Sequence, residues 1–166
     1  MIEAEAGDAA AERNAIEGMK RHYGKAEEIA KETQDAEPYY PAMNRMAAEL
    51  ALVDRRRRGV ARGLENLAAV RESLSAAPPN FWSIVGQTEL SMYEALSAET
   101  LRTNLPALTE QFQAHHDRVP RALKSWASVY DNATFVLQKY QTHAPAPERA
   151  AAAALLTLLK SFAATP

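Results

Sequence analysis

The sequence predicts an all-helical fold built from antiparallel helix pairs, and its composition and its missing strand patterns both point there. The chain has 166 residues, of which 34 are Ala, against 6 Gly and 9 Pro. Ala is the best helix former, whereas Gly marks tight turns. No run of Val, Ile and Thr alternates with polar residues as a half-buried strand would. We expect a single domain over residues 1–166, because a chain of this length can bury its own core, with residues 1–7 flexible.

The N-terminal half predicts four helices. Asp8 is suited to cap the first helix, and Gly24 is expected to end it. Pro38 ends the second helix, and Pro41 suits the first turn of the third. In the fourth, apolar residues recur every three or four positions. The expected ranges are 9–22, 25–36, 41–54 and 60–76.

The C-terminal half predicts four more helices. Asn80, which follows two prolines, is suited to cap the fifth helix, and a small polar break at 97–100 ends it. Pro106 suits the first turn of the sixth helix, and Pro120 opens the seventh. The expected ranges are 81–96, 105–116, 120–140 and 148–163. Eight helices with short connections make about four antiparallel pairs.

Two tryptophans begin segments of similar spacing. Trp82 is followed three and four residues later by Val85 and Gly86, and Trp126 is followed at the same distance by Val129. These segments resemble the tetratricopeptide repeat. In that family a large residue fills the space between paired helices, a small residue permits close approach, and Pro ends the second helix.

The resemblance covers nearly the whole chain and is degenerate. The Trp segments lie 44 residues apart, and a weaker segment at Asn44 lies 38 residues before Trp82, whereas the repeat is 34 residues long. It implies a solenoid of stacked helix pairs, with another all-α bundle as the alternative. Segments 39–44 and 81–86 are also similar to repeats of large bacterial multidomain signalling proteins.

Composition excludes several kinds of chemistry and location. The chain has no Cys, so it can form neither a disulfide nor a thiolate zinc site. A net charge of −2 disfavours a dedicated nucleic-acid binder. The longest apolar stretch, 150–159, is about half of what a bilayer requires. The first residues are acidic and do not resemble a signal peptide. We therefore predict a cytoplasmic protein without a membrane partner.

The titratable clusters do not form a catalytic or metal-binding motif. The adjacent His115 and His116 point about 100° apart on a helix, so one metal ion cannot easily take both as ligands. Glu27 and Glu28 are interpreted as helix-surface carboxylates, and His143 as a surface residue. Trp82, Trp126, Phe112 and Phe135 are interpreted as core residues. We expect no catalytic residue, no metal and no cofactor.

The repeat resemblance implies a non-catalytic scaffold that binds a peptide or a partner domain in a groove. One alternative is a regulatory or oligomerisation segment of a larger bacterial signalling protein, and an all-α enzyme is less favoured. The helix register predicts that the groove exposes a polar face of mixed charge. Its candidate residues are Arg45, Glu49, Ser83, Gln87, Lys124, Ser128 and Asp131.

A run of four arginines forms a candidate basic patch. It comprises Arg55, Arg56, Arg57 and Arg58. We interpret it first as a solvated segment complementary to the acidic N-terminal helices, and second as a protein-docking patch. Nucleic acid is the least favoured partner, because no aromatic residue interrupts the run as in single-strand binders.

Overall fold

The computed structural model describes residues 2–33, 39–53, 64 and 66–164, with side chains from residue 8 onward. Every regular element in these ranges is a helix, which confirms the all-α prediction. Seven helices occur there, where eight were expected for the whole chain. They are α1 (Ile2–Glu32), α2 (Tyr39–Ala51), α3 (Leu67–Ala76), α4 (Phe81–Ser97), α5 (Leu101–Arg118), α6 (Leu123–His143) and α7 (Ala146–Ala164).

The two helices predicted at the N-terminus form one continuous helix, α1, so the break predicted at Gly24 is wrong. A glycine inside a helix costs only about 1 kcal/mol relative to Ala, and the surrounding helix formers offset this. The helix already begins at Ile2, within the stretch expected to be flexible. The predicted helix boundaries at 54 and 60 lie outside the described residues.

The start of α4 follows the predicted capping pattern. Asn80 Oδ1 accepts a hydrogen bond from the Ser83 backbone N–H at 2.9 Å, and the Asn80 backbone N–H donates to Ser83 Oγ at 3.0 Å. Ser83 Oγ also donates to the Pro78 carbonyl at 3.0 Å. This reciprocal box satisfies N–H groups that a helix start otherwise leaves unpaired.

Helix α2 lies at the centre of the fold. It contacts α1, α3, α4 and α6, while α7 packs against α5 and α6. A linear solenoid confines contacts to neighbouring repeats. The contact between α2 and α6 joins elements that are far apart in the chain, so the packing establishes a helical core without establishing a solenoid.

Gly86 marks a close approach between three helices. A Cβ atom added there would lie 3.1 Å from Leu74 Cδ2 of α3 and 3.6 Å from Met43 Sδ of α2. An added methyl group would require the Leu74 side chain to shift by a few tenths of an ångström and would make ordinary van der Waals contact with Met43. The missing side chain at Gly86 therefore permits the close approach of α4 to α3.

Glu148 joins the three C-terminal helices. The side chain is buried near the start of α7, and its Oε2 accepts a hydrogen bond from the Tyr140 hydroxyl of α6 at 2.8 Å. The carboxylate also accepts from the Arg102 backbone N–H, at 3.2 and 3.3 Å to its two oxygens. That N–H lies in the first turn of α5, where no carbonyl of the same helix can pair with it.

We expect Glu148→Ala to lower the free energy of unfolding by about 2 kcal/mol, because two donors lose their acceptor in a buried place. Urea unfolding followed by circular dichroism measures this. Glu110→Ala, on the exposed side of α5, is the matched control and should change stability by less than about 0.5 kcal/mol. Equal effects of the two substitutions would contradict the role given to Glu148.

Candidate functional site

Two of the predicted groove residues, Arg45 and Glu49, belong to an ion-pair network between α1 and α2. Arg45 is only 5% exposed. Its Nε donates to Glu27 Oε2 at 2.7 Å, and its Nη1 lies 2.9 Å from Glu49 Oε1. Lys20 Nζ lies 3.2 Å from the same Glu49 oxygen. The guanidinium of Arg45 is therefore occupied by ion pairs inside the protein, and Arg45 belongs to neither of the two surfaces proposed as binding sites.

Glu27 is the buried carboxylate at the centre of this network, so the prediction that it lies on the helix surface is wrong. The adjacent Glu28 is exposed. Glu27 accepts hydrogen bonds from Lys31 Nζ at 2.7 Å and from Asn66 Nδ2 at 3.1 Å, besides that from Arg45. Burial by itself raises the pKa of Glu27. The hydrogen bonds and positive charges of Lys31 and Arg45 outweigh burial and leave this pKa below its usual value.

The other groove candidates divide between the interior and the surface. Ser83 is buried in the cap of α4. Gln87 is exposed on α4. Lys124, Ser128 and Asp131 are all exposed on α6, and their spacing of four and three residues places them on one stripe. The basic patch of residues 55–58 lies outside the described residues.

A cluster of rings surrounds Trp126, which is fully buried as predicted. The rings of Phe81 and Phe162 lie 5.2 Å away in edge-to-face contact, and that of His116 lies 5.5 Å away. His116 stacks on Phe162 at 4.2 Å. Trp126 Nε1 donates to the Val119 carbonyl at 3.1 Å. The cluster joins the start of α4 to α5, α6 and α7.

Trp82 was predicted to lie in the core, and this is wrong: it is 42% exposed. Its position lies on the same helical face as the buried Gly86 and Glu89, but in the first turn of α4. Its ring touches Phe81 edge-to-face at 5.0 Å. Val119 and Leu123, which precede Trp126 in the chain by seven and three residues, are also exposed, at 41% and 37%.

Exposed apolar side chains therefore border the Trp126 cluster, and we call them the Trp82 patch. The patch consists of the exposed Trp82, Val119 and Leu123 and of the half-buried Phe81, which joins Trp82 to Trp126. The sequence signal for it is the pair of apolar residues at 119 and 123, which lie on either side of the break between α5 and α6.

Two further histidines, His115 and His143, contact other side chains inside the protein. His115 Nε2 lies 3.1 Å from Thr88 Oγ1 and so joins α5 to α4. Burial lowers the pKa of His115, and the positive charge of Arg118 lowers it further. His143, predicted to lie on the surface, is buried and packs edge-to-face on Tyr140 at 5.4 Å. Among the described residues, no group of three or more His, Asp and Glu side chains is arranged to hold a metal ion.

Glu89 is a fully buried carboxyl group on α4. Its Oε1 has no hydrogen-bond partner among the residues that the structure describes. Burial raises the pKa of Glu89 to about 8. Tyr93 lies one turn further along the helix, and burial together with the nearby Glu89 raises its pKa as well. Glu89 is therefore protonated in the folded protein at neutral pH.

A cleft of about 610 Å³ lies where α3, α4 and α5 meet. Arg71 of α3 and Glu94 of α4 form an ion pair across it, with 2.7 Å between Nη2 and Oε2. We call it the polar cleft. It is lined by Arg71, Ser91, Glu94, Ala95, Ala98, Thr100, Asn104, Ala107, Leu108 and Gln111.

Comparison with known proteins gives no match: no family model, no curated protein and no solved structure aligns significantly with the chain. In the part of the chain that the structure describes, no helix is both long and apolar enough to span a bilayer.

Proposed function

We propose that the chain is a protein-interaction module and that the Trp82 patch is its contact surface. The observation that carries this proposal is that Trp82, Val119 and Leu123 are all exposed around one cluster. Trp82 lies on the Phe81 ring that contacts Trp126, and the Val119 carbonyl accepts the hydrogen bond of Trp126. Grouped apolar side chains on a surface are typical of protein interfaces, and Trp is enriched among the residues that contribute most to binding.

The rigidity of the patch supports this assignment. Phe81 is fixed against Trp126, which is buried and hydrogen-bonded to the Val119 carbonyl. The patch residues therefore lie on a packed base, which keeps the entropic cost of ordering them on binding small. Lys124, exposed next to Leu123, adds a charge at the rim, where interfaces are usually polar.

The repeat resemblance supports the same class of function. Tetratricopeptide repeats are protein-binding scaffolds, and we propose that the helix pairs here serve that purpose. The close approach of α4 to α2 and α3 at Gly86 is the kind of packing that such pairs require. In this proposal Gln87, Lys124, Ser128 and Asp131 supply the polar surroundings of the patch.

Site-specific photocrosslinking tests the proposal. A benzophenone amino acid replaces Trp82 or Leu123, and in the control it replaces Ile84, which is also exposed on α4 but points away from Trp82. We expect one defined protein adduct from positions 82 and 123 in cells, and none from 84. Equal adducts from all three positions, or none from 82 and 123, would overturn the proposal.

The mass of the adduct identifies the kind of interaction. A product of twice the 18.3 kDa chain mass would assign the patch to self-association, and this is the oligomerisation alternative. A product of another mass would assign it to a different protein. Light scattering of the purified chain and its Trp82→Ala variant decides independently whether the patch joins two copies.

A further inference from the structure

Two parallel rows of residues define the shape of the polar cleft. The row on α4 is Ser91, Glu94, Ala95 and Ala98, and the row on α5 is Asn104, Ala107, Leu108 and Gln111. Each row has steps of three, one and three residues, the spacing of a single helix face. Seven residues of helix span about 10 Å, so the cleft is about that long.

Small residues line much of the cleft. Ala95 of α4 and Leu108 of α5 are buried and form its base, whereas Ala98 and Ala107 are exposed at its edges. None of the three alanines extends beyond Cβ, so a bound chain can bring its own main chain close to both helices.

Hydrogen-bonding groups border this base. The Gln111 amide makes no hydrogen bond with the residues that the structure describes, so its donor and acceptor are both available. Asn104 Nδ2 donates to the Thr100 carbonyl at 2.9 Å, which holds the side chain in place and leaves Oδ1 as an acceptor. Ser91 Oγ donates to the Gln87 carbonyl at 3.0 Å and can still accept.

Charge and ring content restrict the ligand further. Arg71 and Glu94 neutralise each other at 2.7 Å, so the cleft presents no net charge to a ligand. The carboxylate of Glu94 beside Arg71 therefore disfavours a phosphate or a carboxylate in the cleft. The lining contains no aromatic side chain on which a nucleobase or a sugar ring could stack.

We propose that the polar cleft binds a neutral, extended peptide segment of three or four residues through its main chain. An extended chain rises about 3.3 Å per residue, so about three residues match the length of the cleft. Side-chain amides carry both N–H donors and a carbonyl acceptor, as a peptide chain does. The cleft is separate from the Trp82 patch, and the proposal does not depend on the function given to that patch.

NMR titration of the ¹⁵N-labelled chain tests this with an N-acetylated, C-amidated Ala-Ser-Ala-Ser tetrapeptide as the probe. We expect saturable shifts in the side-chain amides of Asn104 and Gln111 and in the backbone amide of Ala107. Ala107→Trp should fill the cleft and weaken binding at least tenfold. Ala154→Trp, the same change on the exposed face of α7, should bind like the wild type. Gln111→Ala should weaken binding severalfold, and this variant tests the cleft if Ala107→Trp does not fold.

Three further probes separate main-chain recognition from other binding. The same tetrapeptide with every peptide nitrogen methylated should bind at least tenfold more weakly, and so should one with Asp in place of Ala. Inorganic phosphate should not shift the cleft residues. Equal binding of the methylated or acidic peptide, binding of phosphate, or no saturable shift with the original probe would each overturn the proposal.

Discussion

Replacing Glu89 by Gln is expected to raise the free energy of unfolding at pH 7 by about 3 kcal/mol, which is a large gain for one atom exchanged. The carboxyl group is fully buried, and its Oε1 has no partner among the described residues. The folded protein must therefore keep it protonated, while the unfolded chain can release the proton to water. Gln has nearly the same shape and stays neutral in both states.

The sign and the pH window follow from the two pKa values of Glu89. The folded value is raised to about 8 from an ordinary value of 4.5. A raised folded pKa gives stability that is complete below pH 4.5 and is lost as the pH rises towards 8. Each unit is worth about 1.36 kcal/mol, so the 2.5 units between 4.5 and pH 7 amount to about 3 kcal/mol.

Urea unfolding of the wild type and of Glu89→Gln from pH 4 to 9 measures this window. The two curves should coincide near pH 4 and separate steadily up to about pH 8. Glu110→Gln, exposed on α5, controls for general charge effects and should follow the wild type. A constant difference between wild type and Glu89→Gln over the whole range would show that Glu89 does not titrate as described.

The sequence predicted the helical elements well where a local signal defines them. Asn80 after two prolines predicted the start of α4, and the cap has that geometry. Gly24 misled the prediction because a glycine signals a break only where flanking residues do not favour the helix. The same limit explains why the burial of Glu27 was not predicted: it stands next to Glu28, and only one of these two adjacent carboxylates is buried. Its partner Arg45 lies 18 residues away, and no local pattern reveals that.

The surfaces were harder to predict than the helices. Trp82 shares a helical face with buried residues, so periodicity placed it in the core; its exposure follows from its position in the first turn. The polar cleft depends on how α3, α4 and α5 meet. None of its lining residues belongs to a recognisable binding motif. Only the matching spacing of the two rows, with small residues on both helices and amides on α5, indicates the cleft.

Replacing Arg45 by Met is expected to lower the free energy of unfolding by about 3 to 4 kcal/mol. The substitution leaves Glu27 buried with Lys31 and Asn66 but without its ion pair to α2, and it also takes a partner from Glu49. Removing one member of a buried pair costs this much because the remaining charge stays desolvated.

Arg71→Met is a closely matched control for Arg45→Met. Arg71 and Glu94 are separated by the same 2.7 Å as Arg45 and Glu27, but their side chains are 43% and 53% exposed. Exposed pairs contribute about 0 to 1 kcal/mol, so Arg71→Met should change stability little. Equal costs of the two substitutions would show that burial is not what gives the Arg45 pair its strength.

The pH dependence of Arg45→Met separates the lost ion pair from lost packing. In the wild type the pKa of Glu27 is held below its usual value, so its contribution to stability is present above about pH 4.5 and is lost as the pH falls through the folded value. The cost of Arg45→Met should therefore shrink in acid. Adding Glu27→Gln should recover part of the loss at neutral pH, because it removes the unpaired charge. A cost that is constant with pH and unchanged by Glu27→Gln would mean that Arg45 stabilises the fold through packing of its side chain alone.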